Sequence, residues 1–226
     1  MSFDTMSPTP RRGFLGRLAG AAVALGVAGV APLRLMAEPA APQRGQDVED
    51  WPGTLRGKHR QVFDAVSPND GFALLFAHVF LMTNSQASKI PEHDLNGVIV
   101  LRHEAAPLAL TDAVWKKYAL GEAVKATDPA TKAPAVRNPY YHARPGDLPI
   151  LDASIEKLQA RGVKFGVCNV ALTILSGTRA AAAGVSPDQA KTEWMAALIP
   201  GVTVLPSGVW GVNRAQEHGC SYCYAG

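Results

Sequence analysis

The chain has 226 residues, 47% of them hydrophobic and 18% charged, which suits one domain of ordinary size and excludes disorder for most of it. Its three cysteines are too few for a disulfide scaffold. The first 37 residues hold four of the 22 basic side chains and one of the 19 acidic ones, which leaves 18 of each in the remainder. A neutral remainder lacks the basic surface that phosphate binding needs, which argues against nucleic acid as a partner.

Residues 1–37 have the pattern of an export signal. Arg11 and Arg12 are followed by a weakly apolar stretch over 18–33 and then by Arg34. This arrangement resembles a twin-arginine signal peptide, which exports folded proteins to the periplasm, and cleavage is expected near Ala37. An uncleaved membrane anchor is the alternative, although the stretch is short for about 30 Å of hydrocarbon. We therefore expect a periplasmic protein that meets the membrane only through its signal.

Strand and helix patterns alternate in the rest of the chain. Prolines and glycines among charges predict a tether over 38–59, ahead of a domain over 60–226. The predicted strands are 61–66, 97–101, 163–167, 202–205 and 221–224. The predicted helices are 67–82, 111–120, 152–161, 170–183, 186–199 and 207–219, with Ser67, Thr111, Asp152, Ser186 and Ser207 at their amino ends. This order predicts an α/β fold: a single three-layer domain with an open, mostly parallel five-stranded sheet.

One long segment, 126–149, interrupts the alternation. It contains five prolines, and a loop of this length inside a domain is usually functional or disordered. It also carries a polar and aromatic cluster: Tyr140, Tyr141, His142 and Arg144. Such a cluster either covers a ligand or forms a subunit contact.

Cys168 is the leading candidate for a catalytic residue. It follows the predicted strand 163–167 and immediately precedes a predicted helix. A thiol there faces the N–H groups and partial positive charge of a helix amino terminus, which favour the thiolate, the nucleophilic and metal-binding form. A buried cysteine that packs as a small hydrophobic residue is the alternative.

The carboxyl half resembles a known family. The segments GVKFGVCN (162–169), PGVTVLPSGV (200–209) and RAQEHG (214–219) are similar to the DsrE/DsrF-like family, and the resemblance extends over 60–226. It implies a flavodoxin-like fold and assembly into a homo-oligomer. In the sulfur-relay members a cysteine at the end of the corresponding strand carries sulfur as a persulfide. Cys168 matches that position, which implies a sulfur donor and a sulfur acceptor as partners.

Two histidines deserve separate interpretations. His103 lies two residues beyond the predicted strand 97–101, so it is expected at the same sheet edge as Cys168, as a proton shuttle or metal ligand. An edge histidine bonded to backbone or water is the alternative. His78 lies in an apolar helical stretch and is interpreted as a satisfied core or interface histidine.

Cys220 and Cys223 form a Cys-x-x-Cys pair near the carboxyl end. In a strand, at about 3.3 Å per residue, their α-carbons would lie about 10 Å apart, beyond the ~7 Å limit for a disulfide, with side chains on opposite faces. If the segment that holds Cys220 and Cys223 is a strand, the two are predicted to be structural thiols; if it turns, a disulfide can form between them. A disulfide from Cys168 to one of these two cysteines is a further alternative. A metal site at this pair would need Cys168 or histidines as further ligands.

Three functions follow from these candidates. The first is a periplasmic sulfur-handling protein, a sulfurtransferase if it is an enzyme, with Cys168 as the persulfide carrier. The second is a non-catalytic oligomeric module that binds a small ligand or soft metal at the sheet edge through Cys168 and His103, with the terminal cysteines as further candidates. The third is an accessory subunit whose thiols only pack. The sequence implies no resident cofactor.

Overall fold

Five parallel strands form the sheet: β1 (His59–Ala65), β2 (Leu95–Leu101), β3 (Lys164–Cys168), β4 (Val202–Leu205) and β5 (Ser221–Tyr224). Their order is β4-β3-β2-β1-β5, and every neighbouring pair is parallel. The α/β prediction is therefore confirmed, with an all-parallel sheet. These positions come from a computed structural model that describes residues 48–53 and 55–226. The predicted signal, with Arg11, Arg12 and the cleavage position, lies outside the described residues.

Seven α-helices connect and cover the strands within the described residues. They are α1 (Phe72–Ser88), α2 (Asp112–Trp115), α3 (Leu120–Ala123), α4 (Ile155–Ala160), α5 (Asn169–Ala180), α6 (Pro187–Ala196) and α7 (Gly208–Glu217). Short 3-10 turns occupy Val48–Asp50, Asn69–Gly71, Glu92–Asp94, His103–Ala109, Leu151–Ala153 and Ala181–Ala183. None of the helices in this part of the chain is long and apolar enough to cross a bilayer.

The two faces of the sheet bury different clusters. Helices α1, α4, α5 and α6 pack on one face, where Phe63, Ile99 and Phe165 from the central strands join the larger core. Helix α7 covers the other face, where Val62 and Val98 pack with its Ala215. Alternation of side chains along each strand produces this division, and the result is the three-layer arrangement that the sequence predicts.

The domain begins earlier than the predicted boundary at residue 60. Trp51 and Leu55 are 5% and 6% exposed and belong to the cluster beneath α7. Gly166 makes room for the indole, because a Cβ there would lie 2.6 Å from Trp51 Cζ2. Trp51 and Leu55 therefore belong to the hydrophobic core, and the prediction of a tether is wrong at these two residues.

Two of the predicted helix starts are wrong, and a third predicted helix starts after Thr111 as expected but is broken along its length. Helix α1 begins at Phe72 rather than after Ser67, because Asn69, Asp70 and Gly71 adopt φ of 39°, 50° and 82°, which no right-handed helix accommodates. The helix predicted at 111–120 is split into α2 and α3 by Ala119, whose φ is 47°. Helix α4 is capped by Ser154 instead of Asp152 and starts at Ile155.

The caps at the later helices are as predicted. Ser186 Oγ accepts a hydrogen bond from Gln189 N at the start of α6. Ser207 Oγ accepts one from Trp210 N at the start of α7. Each bond satisfies one of the N–H groups that a helix leaves free at its first turn, so these two helices begin where their serines predict.

Segment 126–149 is built into the domain by buried polar contacts. Asn138, 2% exposed, donates through Nδ2 to the carbonyls of Leu108 and Leu110. Its Oδ1 accepts from Tyr140 N, and Tyr140 O in turn accepts from Ile155 N at the start of α4. The segment is therefore anchored at its middle by main-chain and amide bonds.

Candidate functional site

Cys168 lies where strand β3 passes into helix α5. It is the last residue of β3 and the N-cap of α5, as predicted, and its Sγ accepts a hydrogen bond from Ala171 N at 3.3 Å. The residue is 6% exposed. A sulfur atom in this position receives an N–H group of the first helical turn and the positive end of the helix dipole.

The topology makes this edge of the sheet distinctive. The chain leaves β3 toward the face covered by α5, and it leaves the adjacent strand β4 toward the face covered by α7. In open α/β sheets, ligands bind beyond the carboxyl ends of neighbouring strands whose connections depart to opposite faces. Cys168 and Leu205, which are register partners at the ends of β3 and β4, therefore flank the expected ligand position.

Lys191 of α6 reaches into the first turn of α5. Its Nζ donates to Asn169 Oδ1 at 2.6 Å and to Asn169 O at 3.4 Å. Burial lowers the pKa of Lys191 to about 8, and the negative charge of an ionised Cys168 acts in the opposite direction. The ammonium thus lies against Asn169, the residue that follows Cys168 in the first turn of α5.

A second cation approaches from the end of β2. Arg102 donates to the buried Asp64 carboxylate in a bidentate arrangement, through Nε at 2.6 Å and Nη2 at 2.9 Å. Tyr222 Oη donates to the same carboxylate at 2.9 Å. The hydrogen bond to the Asp64 carboxylate is the main reason that the pKa of Arg102 is raised. Arg102 follows Leu101, the register partner of Val167, and is therefore a charged residue at the same edge of the sheet as Cys168.

His103 does not join this cluster through hydrogen bonds. It is exposed, adopts a φ of 51°, and its imidazole makes no hydrogen bond to any residue that the structure describes. The carboxyl-edge position is as predicted, but the ring has no polar contact with Cys168. His78 is the satisfied histidine that its apolar surroundings predict, since its Nδ1 lies 2.8 Å from Arg161 Nη1.

The terminal thiols are separated by the alternation of β5. Cys220 packs in the cluster beneath α7, whereas Cys223 packs against the core on the opposite face. Burial raises the pKa of Cys220 to about 11 and also raises the pKa of Cys223, so neither thiol is activated. Over residues 48–53 and 55–226, no three His, Cys, Asp or Glu side chains are grouped as metal ligands, and the pair forms no metal site there.

The polar and aromatic residues of the long segment serve local packing. Tyr140 is 3% exposed and lies beside Trp115, with ring centroids 6.5 Å apart. His142 is exposed; its Nδ1 lies 3.1 Å from Glu156 Oε2, and its ring stacks on Tyr141. These contacts tie the segment to α2 and α4.

A groove of about 760 Å³ lies between α1 and the edge strand β5. Its wall includes Lys58, Phe76, Phe80 and Cys223. Three strand spacings separate β5 from β3 in the sheet order, so the groove is remote from Cys168. Its cysteine has a raised pKa, and the groove offers no activated nucleophile among the described residues.

The sequence predicts Cys168 as a site residue, but it does not predict the charged residues that lie at the same edge of the sheet. Asp64, Arg102 and Lys191 are 104, 66 and 23 residues from Cys168 in the chain, and no local pattern links them. The position of Arg102 just beyond β2 was the one available signal, because the carboxyl ends of parallel strands share an edge.

Comparisons with known proteins leave the family open. No family model matches the chain, and no curated protein matches its sequence. A solved structure of MTH1491, a protein of unknown function from Methanobacterium thermoautotrophicum, matches with a TM-score of 0.36 and 17% identity. The match covers 74% of this chain and 99% of that one.

Proposed function

We propose that the protein is an exported DsrE-like sulfur carrier that holds a sulfane sulfur as a persulfide on Cys168. The observation that supports this most strongly is the hydrogen bond from Ala171 N to Cys168 Sγ at the start of α5. At a helix start, an N–H donor and the helix dipole generally favour the thiolate form of a cysteine, which is the form that attacks sulfur. The position at the carboxyl edge of an open parallel sheet is also one where such folds bind ligands.

The transfer step needs no oxidant. The Cys168 thiolate attacks the terminal sulfur of a donor persulfide, so that a bond forms between Sγ and this sulfur while the donor's S–S bond breaks. The donor leaves as a thiolate and takes up one proton. The sulfane sulfur keeps its oxidation level throughout, and the reverse sequence passes it to an acceptor thiol.

The surroundings of the sulfur suit a protected intermediate. With Cys168 at 6% exposed, a terminal sulfur is shielded from bulk water and only a compact donor group gains access. In this proposal the chain reaches the periplasm through its twin-arginine signal. It works there as a homo-oligomer, and Val170 and Ile174, 36% and 45% exposed on α5 beside the site, support a subunit contact at this helix.

The first prediction is that a sulfur donor loads Cys168. Incubation with a low-molecular-weight persulfide is expected to add one sulfur atom to the full chain, and intact-mass measurement followed by peptide mapping places it on Cys168. Cys168→Ser removes the adduct, since a hydroxyl is not a sulfur nucleophile near neutral pH. Serine is itself a good N-cap, so this variant keeps the start of α5.

Cys223→Ser is the matched control and is expected to load as the wild type does. A wild-type chain that gains no sulfur contradicts the carrier function, as does an adduct that persists in Cys168→Ser. Native mass spectrometry of the purified protein then distinguishes the alternative: a small molecule retained without any covalent adduct indicates a non-catalytic binding module.

A further inference from the structure

The Lys191 ammonium is held beside Cys168 by uncharged groups. Its two hydrogen-bond acceptors are the side-chain amide oxygen and the main-chain carbonyl of Asn169, at 2.6 and 3.4 Å. Asn169 directly follows Cys168 and is 4% exposed. The amide thus fixes the position of the ammonium next to the first turn of α5 without neutralising its charge.

No acidic side chain of the described residues forms an ion pair with Lys191. Burial removes water from the ammonium and so lowers the pKa of Lys191 to about 8. A negative charge on Cys168 would act in the opposite direction and raise that pKa. A partly buried cation gains most from a nearby anion, because screening by water is weak there. Cys168 directly precedes Asn169 and caps the helical turn that Lys191 contacts, so its sulfur is the ionisable group at this position.

The other charged groups around the site have partners of their own or lie apart. Asp64 is bound by Arg102 and Tyr222, so its negative charge is matched. Arg179, the charged residue of α5, donates to Tyr118 O near the far end of that helix. On α6, Asp188 is exposed and Glu193 is bonded to Lys117, Tyr118 and Gln189.

We propose that Lys191 is a positioning residue whose ammonium, oriented by Asn169, serves as the counter-ion of the Cys168 thiolate and keeps that thiol reactive at neutral pH. This rests on Cys168 being the nucleophile of the proposed function. It adds a residue from a different helix, α6, and a specific interaction. That Lys191 forms no ion pair with a carboxylate of the described residues is then functional, since such a partner would compete with the thiolate for the ammonium.

Alkylation of Cys168 tests this proposal directly. Iodoacetamide reacts with thiolates, and mass spectrometry of the peptide that contains Cys168 separates it from the two other cysteines. Rates are measured as a function of pH on the full chain for the wild type, Lys191→Gln and Lys191→Arg. Glutamine keeps a donor for Asn169 and loses the charge, whereas arginine keeps the charge.

Lys191→Gln is expected to react about tenfold more slowly at pH 7, with the midpoint of its pH profile about one unit higher, the size of effect typical of losing one neighbouring opposite charge. Lys191→Arg is expected to keep the neutral-pH rate. The matched control is Lys164→Gln, which removes an exposed lysine at the opposite end of the same strand and leaves the profile unchanged.

An unchanged pH profile in Lys191→Gln overturns the proposal, as does an equal loss in Lys191→Gln and Lys191→Arg, which would indicate geometry rather than charge. Asn169→Asp provides a second variant that leaves Lys191 in place. It gives the ammonium a carboxylate partner, so at least a tenfold slower reaction at pH 7 is expected, and an unaltered rate contradicts the proposal. Alkylation does not depend on sulfur loading, so failure of the carrier function and failure of this inference are separate results.

Discussion

At the scale of single residues, Asp64 is the most constrained charged group at the carboxyl edge. It is 2% exposed and accepts two hydrogen bonds from Arg102 and one from Tyr222. The ion pair links the ends of β1 and β2, and the phenol connects them to β5. A buried carboxylate is tolerated only with partners of this kind, so Asp64 and Arg102 are expected to depend on each other.

Asp64→Ala is therefore expected to lower the free energy of unfolding by about 2–3 kcal/mol, because Arg102 is left beside apolar surface without a carboxylate. The value lies at the low end for a buried pair, since the Arg102 side chain is 28% exposed. Tyr222→Phe removes one hydrogen bond of a half-exposed phenol and is expected to cost less than about 1 kcal/mol. Urea denaturation measures both, and equal losses in the two variants would contradict this account.

At the scale of secondary-structure elements, helix α7 approaches the sheet closely because of a glycine at its first position. A Cβ on Gly208 would overlap the side chain of Arg102, including its Cβ. The overlap involves the base of that side chain, which cannot turn away as its tip can. By contrast, a Cβ on Gly177 of α5 would meet only Pro187 Cβ, at 4.0 Å.

Alanine at these two helical glycines is expected to act in opposite directions. Gly208→Ala displaces Arg102 or α7 and lowers the free energy of unfolding by about 1–3 kcal/mol. Gly177→Ala raises it by roughly 0.5–1 kcal/mol, because alanine loses less backbone entropy in a helix and has room there. Thermal or urea unfolding gives the sign of each change, and a stabilised Gly208→Ala would show that α7 can shift freely.

The elements that the sequence predicts well are those set by local signals. The bounds of β4 and β5 follow from apolar runs and turns, and the starts of α6 and α7 follow from Ser186 and Ser207. The late start of α1 is not predictable from the capping pattern, because Gly71 has a positive φ and is packed closely by the distant residues Leu148 and Tyr140. That contact joins distant parts of the chain, whereas a capping pattern is read from adjacent residues.

The same distinction holds for the candidate site. Cys168 is predictable because a strand end followed by a helix start is a local pattern. Lys191 is not, since its role depends on how α6 packs beside α5. The burial of Trp51 is not predictable for the same reason: the prolines and glycines around it suggest a tether, and the space for its indole is provided by the distant Gly166 and Gly211.

At the scale of the whole molecule, the sheet keeps the three thiols apart. Cys223 is level with Phe63, Ile99 and Phe165 across the strands, so three spacings of about 4.8 Å separate it from β3. Cys220 precedes β5 at the amino edge, while Cys168 ends β3 at the carboxyl edge. These separations exceed the ~7 Å between α-carbons that a disulfide allows.

Oxidation of the folded protein is accordingly expected to leave all three cysteines without an internal disulfide. Treatment with diamide, followed by trapping of free thiols and non-reducing peptide mapping, measures this. The urea-denatured chain under the same treatment is the comparison, and it is expected to form internal disulfides because its cysteines meet freely. A Cys220–Cys223 bond in the folded sample would indicate that β5 detaches from β1.

The burial of Trp51 beneath α7 limits how far the chain can be shortened from its amino terminus. A peptidase that cuts near residue 37 leaves Trp51 and Leu55 attached to the domain. A cut beyond Leu55 would instead uncover Val62, Val98 and Val100, which pack with them, and present an apolar sheet surface to neighbouring chains. A chain shortened beyond Leu55 is therefore expected to aggregate, whereas a chain that keeps Trp51 and Leu55 keeps this surface covered.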